Sequence, residues 1–195
     1  MKQTPLIAQH RAAGAKLVDF AGWEMPIQYS GVLDEYHAVR SKAGLFDVSH
    51  MGRLMVSGAG ALAFLQAVTT NDVAKLAVGQ AHYSMVCNDE GGIKDDIFVY
   101  RLKPVDYLLC VNASNRAKVL TWLQAHPRDA SVVLEDHSDQ MAQIALQGPI
   151  SKDIMIALGG TAVTTLKLHH TCEAPLASIP TLIARTGYTG ELGYE

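Results

Sequence analysis

Two carboxylates stand side by side in "GGIKDDIFVY", residues 91–100. Asp95 and Asp96 follow a paired glycine and lead a β-forming run. A strand points successive side chains to opposite faces. The pattern therefore sets Asp95 with Ile97 and Val99, and Asp96 with Phe98 and Tyr100. Both faces are apolar. A carboxylate at the edge of an apolar surface has its charged form disfavoured by desolvation unless a partner compensates. Such a group suits proton transfer or the steadying of a developing cation. Solvated acids at a turn-to-strand junction fit the same pattern and do no chemistry.

A second polar group comes from the next strand. The turn "KPVD" folds "YLLCVNAS" back on "DDIFVYRL", which sets Asn112 opposite Asp96 or one residue off. An amide there orients the carboxylate or binds a ligand; alternatively, Asn112 starts the following helix as its N-cap. "RTGYTGE", residues 185–191, holds Tyr188 between Gly187 and Gly190. Glycines permit close backbone approach, and a flat aromatic makes a ligand platform; an ordinary hairpin turn reads the same way. "FDVSHMG" offers Asp47, Ser49 and His50. Ser49 and His50 are adjacent and no G-x-S-x-G surrounds the serine, which speaks against a hydrolytic triad. His37, His50, His82, His137, His169 and His170 lack metal-ligand spacing, so no metal is expected. Neither a dinucleotide fingerprint nor a phosphate loop is present.

These residues need elements to hold them. The spacing predicts helices from Thr4-Pro5 to about residue 13, over 32–42, for about ten residues after Gly60, over "NRAKVLTWLQAHP" with Pro127 as its stop, and over "SKDIMIAL" with Ser151 as N-cap. On the third helix Leu62, Leu65, Gln66 and Thr69 share a side; on the fourth Val119, Leu120 and Leu123 face inward. "QAHYSMVCND", "IKDDIFVYRL" and "YLLCVNAS" predict an antiparallel meander. "SVVLEDHS" and "MAQIALQGP" predict strands around a turn. Hairpins recur and strands do not alternate with helices one for one. The expected class is α+β with antiparallel sheets and flanking helices.

Composition narrows the function classes. The 195 residues are 49% hydrophobic and 18% charged, enough for a sizeable core. A net charge of −3 argues against neutralising many phosphates, so no nucleic-acid partner is expected. No apolar run is long enough to span a bilayer. Cys87, Cys110 and Cys172 are widely spaced, which fits free thiols in a reducing compartment.

In order along the chain, "TPLIAQHRAAGAKLVDFAGWEMPIQY", "GLFDVSHMG", "TTNDVAKL", "YSMVCNDEGGIKDDIFVY", "VNASN", "ALQGP" and "RTGYTGELGYE" resemble the glycine cleavage system T-protein family. The resemblance runs from Thr4 to Glu195. It implies a tetrahydrofolate-dependent aminomethyltransferase. Such an enzyme moves a methylene from the aminomethyl-lipoyl arm of the H-protein to tetrahydrofolate and releases ammonia. It implies the T-protein-like folate-binding fold, truncated before a C-terminal barrel domain. One folate-binding subdomain is expected from 1–50 plus 143–195 and a second α+β subdomain from 51–142. Asp96 is the implied catalytic group; Glu195, Tyr83, Tyr188, Asn112 and Met51 are the implied folate contacts. Bacterial cytoplasm is the expected location, or a mitochondrial matrix for a processed eukaryotic chain. Members are about twice this length, so the chain corresponds to an N-terminal portion with little turnover expected of it alone. The alternative within the resemblance is a non-catalytic folate-binding module related to iron-sulfur assembly proteins.

Overall fold

Glycine-rich turns divide the chain into short elements. The computed structural model describes residues 1–126 and 129–195, so Pro127, the expected helix stop, lies outside the described residues. In chain order the elements begin with β1 (Lys2–Gln3), α1 (Ile7–Ala12), β2 (Lys16–Phe20), β3 (Trp23–Gln28), α2 (Val32–Ser41) and β4 (Gly44–Asp47). Then come β5 (Gly52–Ser57), α3 (Ala61–Val68), β6 (Gln80–Cys87), β7 (Ile93–Lys103), β8 (Asp106–Val111), α4 (Arg116–Ala125) and β9 (Val133–Asp136). The last are β10 (Ile144–Gln147), α5 (Ser151–Ala157), β11 (Thr171–Leu176), β12 (Ile179–Ala184) and β13 (Gly193–Tyr194). They form two compact units, one from Met1–His50 with Ala142–Glu195, the other from Met51–Met141.

The Met51–Met141 unit is a five-stranded sheet in the order β6-β7-β8-β5-β9, with every pairing antiparallel. The expected meander is its β6-β7-β8 half. One sheet face carries Leu54, Val56, Val86, Ile97, Val99, Leu109 and Val111 into the core. Helices α3 and α4 cover that face with Phe64, Leu65, Val119 and Leu123. Each such side chain contributes roughly 1.5–3 kcal/mol by leaving water. The buried stripe of α3 is Ala61, Phe64, Leu65 and Val68. Leu62 and Gln66 fall outside it, because spacings of three, four and seven place those four residues on one face.

The other unit has smaller sheets. They run β1-β3-β2, β13-β10-β4 and β11-β12, and only β1 with β3 is parallel. Pro26 sits within β3, and the β2–β3 pairing slips beside it, between Lys16 and Leu17. That suits a residue with no N–H to donate. Helix α2 buries none of its residues. Its start is held by Glu35, whose Oε1 accepts the backbone N–H groups of Tyr29, Ser30 and Gly31.

Two helix-cap expectations fail for one reason: a distant partner claims the side chain. Thr4 does not cap α1, which begins at Ile7; its hydroxyl donates to Asp47 Oδ2 at 2.5 Å. Ser151 is the first residue of α5 and not its cap, and its hydroxyl donates to the Leu192 carbonyl. The strands read around one turn, β9 and β10, join different sheets.

Candidate functional site

In the Met51–Met141 unit the pairing register builds one row. Met85 lies opposite Asp96 across β6 and β7. The β7–β8 register pairs Phe98 with Cys110, so two residues further along Asp96 meets Asn112. The β5–β8 register pairs Gly52 with Val111, so the next position sets Met51 beside Asn112. Directly opposed residues share a sheet face. Asp96, Asn112 and Met51 therefore lie on one row of the face turned away from the hydrophobic core. Tyr83 is opposite Phe98, two positions along on that same face. Its ring meets Phe98 edge-on, with centroids 6.0 Å apart, and the side of Tyr83 toward solvent leaves it 47% exposed.

Asp96 is oriented from across the strand pair. Asn112 Nδ2 donates to Asp96 Oδ1 at 3.0 Å and approaches the Asp96 carbonyl at 3.1 Å. The N-cap alternative for Asn112 is excluded, since α4 begins at Arg116 with Asn115 at its cap. Asp95 faces the other way, 2% exposed beside Ile97 and Val99. Its carboxylate takes the Asn112 backbone N–H, the Asn112 amide and the Asn115 amide. A buried carboxylate satisfied by three N–H donors is a well-supported arrangement. The sequence pattern separates the two aspartates by face and misses that one asparagine joins them.

In the other unit, Tyr188 projects at the tip of the 185–191 loop, 97% exposed. Beneath it lies Gln147, 1% exposed. Its amide donates to the Thr186 carbonyl at 3.2 Å and its oxygen accepts the Thr189 hydroxyl at 3.0 Å. A Cβ on Gly187 would sit 2.0 Å from Gln147 Oε1, and one on Gly193 would sit 2.3 Å from Nε2. Close approach to this glutamine is therefore what those two glycines supply. Glu195 is tied to Ala184 by backbone bonds in both directions, and the Thr186 hydroxyl donates to its Oε2. Gln147 and Thr186 carry no catalytic pattern of their own in the sequence.

The "FDVSHMG" residues do not assemble a triad. Asp47 is paired with His10, not His50: His10 Nε2 lies 2.8 Å from Asp47 Oδ2. With a carboxylate on Nε2, Nδ1 is left to accept the Tyr29 hydroxyl at 2.8 Å. Burial pushes the Asp47 carboxyl up, but hydrogen bonds from Ser49, Thr4 and His10 outweigh it and hold the group below its ordinary range. This chain of side chains ties Thr4, α1 and the residue just past β3 to β4.

An open cleft of about 570 Å³ in the same unit is lined by Tyr29, Tyr36, Leu45, Phe46 and Thr189 among others. Its charged members are committed, Arg40 to Glu191 at 2.8 Å and Glu35 to three backbone N–H groups. It contains none of the expected site residues. Size alone is a weaker guide here than the row of groups around Asp96. Among the described residues no group of three or more His, Cys, Asp or Glu is placed to hold a metal ion. No helix there is long and apolar enough to cross a membrane.

Comparison with known proteins agrees with this architecture. Residues 6–195 match the GCVT N-terminal domain. The aminomethyltransferase of Chloroherpeton thalassium is 50% identical over 195 residues, covering all of this chain and 54% of that protein. The aminomethyltransferase of Desulfitobacterium hafniense (strain DSM 10664 / DCB-2) is 48% identical, with all of this chain and 53% of that protein covered. The crystal structure of glycine cleavage system aminomethyltransferase T from Bartonella henselae superposes with a TM-score of 0.91 at 35% identity, over 99% of this chain and 52% of that one. The chain thus spans about half the length of the relatives it matches.

Proposed function

Since this chain belongs to the GCVT family and corresponds to its N-terminal portion, we propose that it forms part of a tetrahydrofolate-dependent aminomethyltransferase of glycine cleavage. The donor in this reading is the aminomethyl-lipoyl arm of the H-protein, and the products are methylenetetrahydrofolate, ammonia and the H-protein with its lipoyl sulfur released as the dihydrolipoyl thiol. The bacterial relatives favour a bacterial cytoplasm as its location. The observation that carries the reading is the orientation of Asp96 by Asn112 on a sheet face that also bears Tyr83 and Met51.

Tetrahydrofolate supplies a nitrogen nucleophile that takes up the methylene. The residues present suit it. Tyr83 offers a half-exposed aromatic face for a flat ring system. Tyr188 offers a second aromatic face on the other unit. Glu195, with Oε2 on the Thr186 hydroxyl, is an acceptor of the kind that grips adjacent pterin N–H donors. We assign Asp96 the catalytic role. Its negative charge stabilises a carbon that turns iminium-like as ammonia departs, and it accepts a proton from the attacking nitrogen. Asn112 keeps the accepting oxygen aimed, and Met51 supplies an apolar contact beside it.

The test has two arms. Tetrahydrofolate is titrated calorimetrically into the 195-residue chain. Methylene transfer from lipoylated H-protein is then measured with the chain joined to the C-terminal half of the C. thalassium relative. Asp96→Asn is expected to leave folate binding within a few-fold and to lower turnover by at least about a hundredfold. Unchanged turnover would remove Asp96 from the mechanism, whereas folate binding with no transfer by the unsubstituted protein would favour a folate-binding module without transfer.

A further inference from the structure

Asp95 is the more buried of the two neighbouring aspartates, and the reaction proposed above gives it no task. Its bonding is nonetheless specific. Oδ2 accepts the Asn112 backbone N–H at 2.9 Å and Oδ1 accepts Asn112 Nδ2 at 2.9 Å. Asp95 thus grips Asn112 at two points. Asn115 Nδ2 adds a third donor, to Oδ1 at 2.5 Å. Next to Asn115, the first residue of α4 is anchored as well: Arg116 donates to Asp136 at 2.8 Å and, through two nitrogens, to Asp139.

An Asn amide has two ends of similar shape and opposite hydrogen-bonding character. Which end faces Asp96 decides whether Asp96 meets a donor or a repelling carbonyl oxygen. A carboxylate has only acceptors, so Asp95 at Oδ1 demands the Nδ2 end. Of the two Nδ2 protons, one then serves Asp95, and the other serves Asp96 Oδ1 at 3.0 Å and its carbonyl at 3.1 Å. We infer that Asp95 is a positioning residue: through the Asn112 amide it fixes the donor that orients the Asp96 carboxylate. The inference rests on the aminomethyl-transfer reading for its consequence in turnover, but not for the geometry.

Asp95→Asn nearly keeps the shape and inverts the chemistry. An amide at that position sets N–H against at least one of the three N–H donors. Whichever way it lies, the new N–H faces either the Asn112 backbone N–H or the Asn112 and Asn115 amides, so Asn112 is pushed away and its donor leaves Asp96 Oδ1. In ¹⁵N-labelled chain the Asn112 Nδ2 protons should exchange with solvent at least about tenfold more slowly than those of Asn88, whose bonded atom is Oδ1. In Asp95→Asn they should shift and exchange as fast as those of Asn88, while the backbone amides of Val99 and Leu109 stay protected. Fast exchange of Asn112 Nδ2 in the unsubstituted chain would overturn the inference, whether or not the variant folds. So would an unmoved Asn112 signal in the variant, or equal loss of protection at Val99 and Leu109, which assigns Asp95 to the fold alone. In the transfer assay Asp95→Asn should lower kcat about tenfold or more with the tetrahydrofolate KM within about twofold; a rise in KM alone would contradict it. Absence of methylene transfer by the unsubstituted protein would sink the aminomethyl-transfer reading while leaving the exchange result to judge Asp95.

Discussion

Replacing Gly187 by alanine isolates one cost. The Gly187 backbone is not in the left-handed region, so a side chain brings no torsional strain there. What it brings is a Cβ 2.0 Å from Gln147 Oε1 and 2.5 Å from Nε2. Ordinary contact begins near 3.4 Å, so the amide must retreat by about 1.4 Å. It cannot retreat freely, because Gln147 is 1% exposed and a Cβ-sized gap at Gly193 is already filled by the same amide. The move breaks the bonds to the Thr186 carbonyl and from the Thr189 hydroxyl. Two neutral hydrogen bonds are worth about 1 kcal/mol each, and a stranded buried amide costs about 1–3 kcal/mol more. The expected loss is about 3–5 kcal/mol, a large share of a stability of order 5–15 kcal/mol.

Urea unfolding would measure it. Trp23 lies in the same unit as Gly187 and Trp122 in the other, so a Trp122→Phe background leaves Trp23 fluorescence to report the relevant unit. With a urea slope of about 2 kcal/mol/M, the middle of the usual range, the midpoint should fall by roughly 1.5–2.5 M. The steric origin is checked by a double-mutant cycle: Gly187→Ala should cost much less once Gln147→Ala has removed the obstructing amide. A loss below about 0.5 kcal/mol in the Gln147 background of the native chain, or the same loss in both backgrounds, would refute the steric reasoning.

Two further tests address buried polar groups. Tyr107 is fully buried, and its hydroxyl has no partner among the described residues; Tyr107→Phe should therefore be neutral or stabilising by about 1 kcal/mol, and a loss of more than about 1 kcal/mol in urea unfolding would show that the hydroxyl is satisfied. For pH, burial pushes the His82 imidazole below its ordinary 6.5, partly opposed by Asp72, so the unfolded chain binds the proton more readily and stability should fall as pH drops below about 6.5 toward the folded-state value. The depressed Asp47 carboxyl adds stability that is present above its ordinary 3.8 and is lost as pH falls through its folded-state value. Thermal melts across pH 3–8 should show both declines, and His82→Gln should remove the upper one; an unchanged upper decline would show that another group causes it.

Patterns that depend on local spacing were readable, and those that depend on distant partners were not. The meander could be read because strand period, a glycine turn and a proline turn all act within a few residues. It brought the Asp96–Asn112 opposition with it, since counting from a turn fixes register. The caps assigned to Thr4 and Ser151 failed on the same physics. A hydroxyl is indifferent to whether its acceptor is local, and Asp47 and the Leu192 carbonyl lie 43 and 41 residues away. The stripe on α3 was misassigned by one helical position, an error that periodicity alone does not correct when Ala61, Leu62, Phe64 and Leu65 are all apolar.

The aspartate pair shows where residue type and register part company. Alternation correctly sends Asp95 and Asp96 to opposite sheet faces, and from that it follows that they cannot share a cavity. It does not follow that they act separately. Asn112 lies just past the end of β8, and its side chain meets both carboxylates while its backbone N–H goes to Asp95. Two acids that never share a face are thereby coupled through one amide, and Asp95 alone also holds the backbone of the residue that carries it. A substitution at the buried member should then be read at its less buried neighbour, through a group that sequence spacing also assigned to capping a helix.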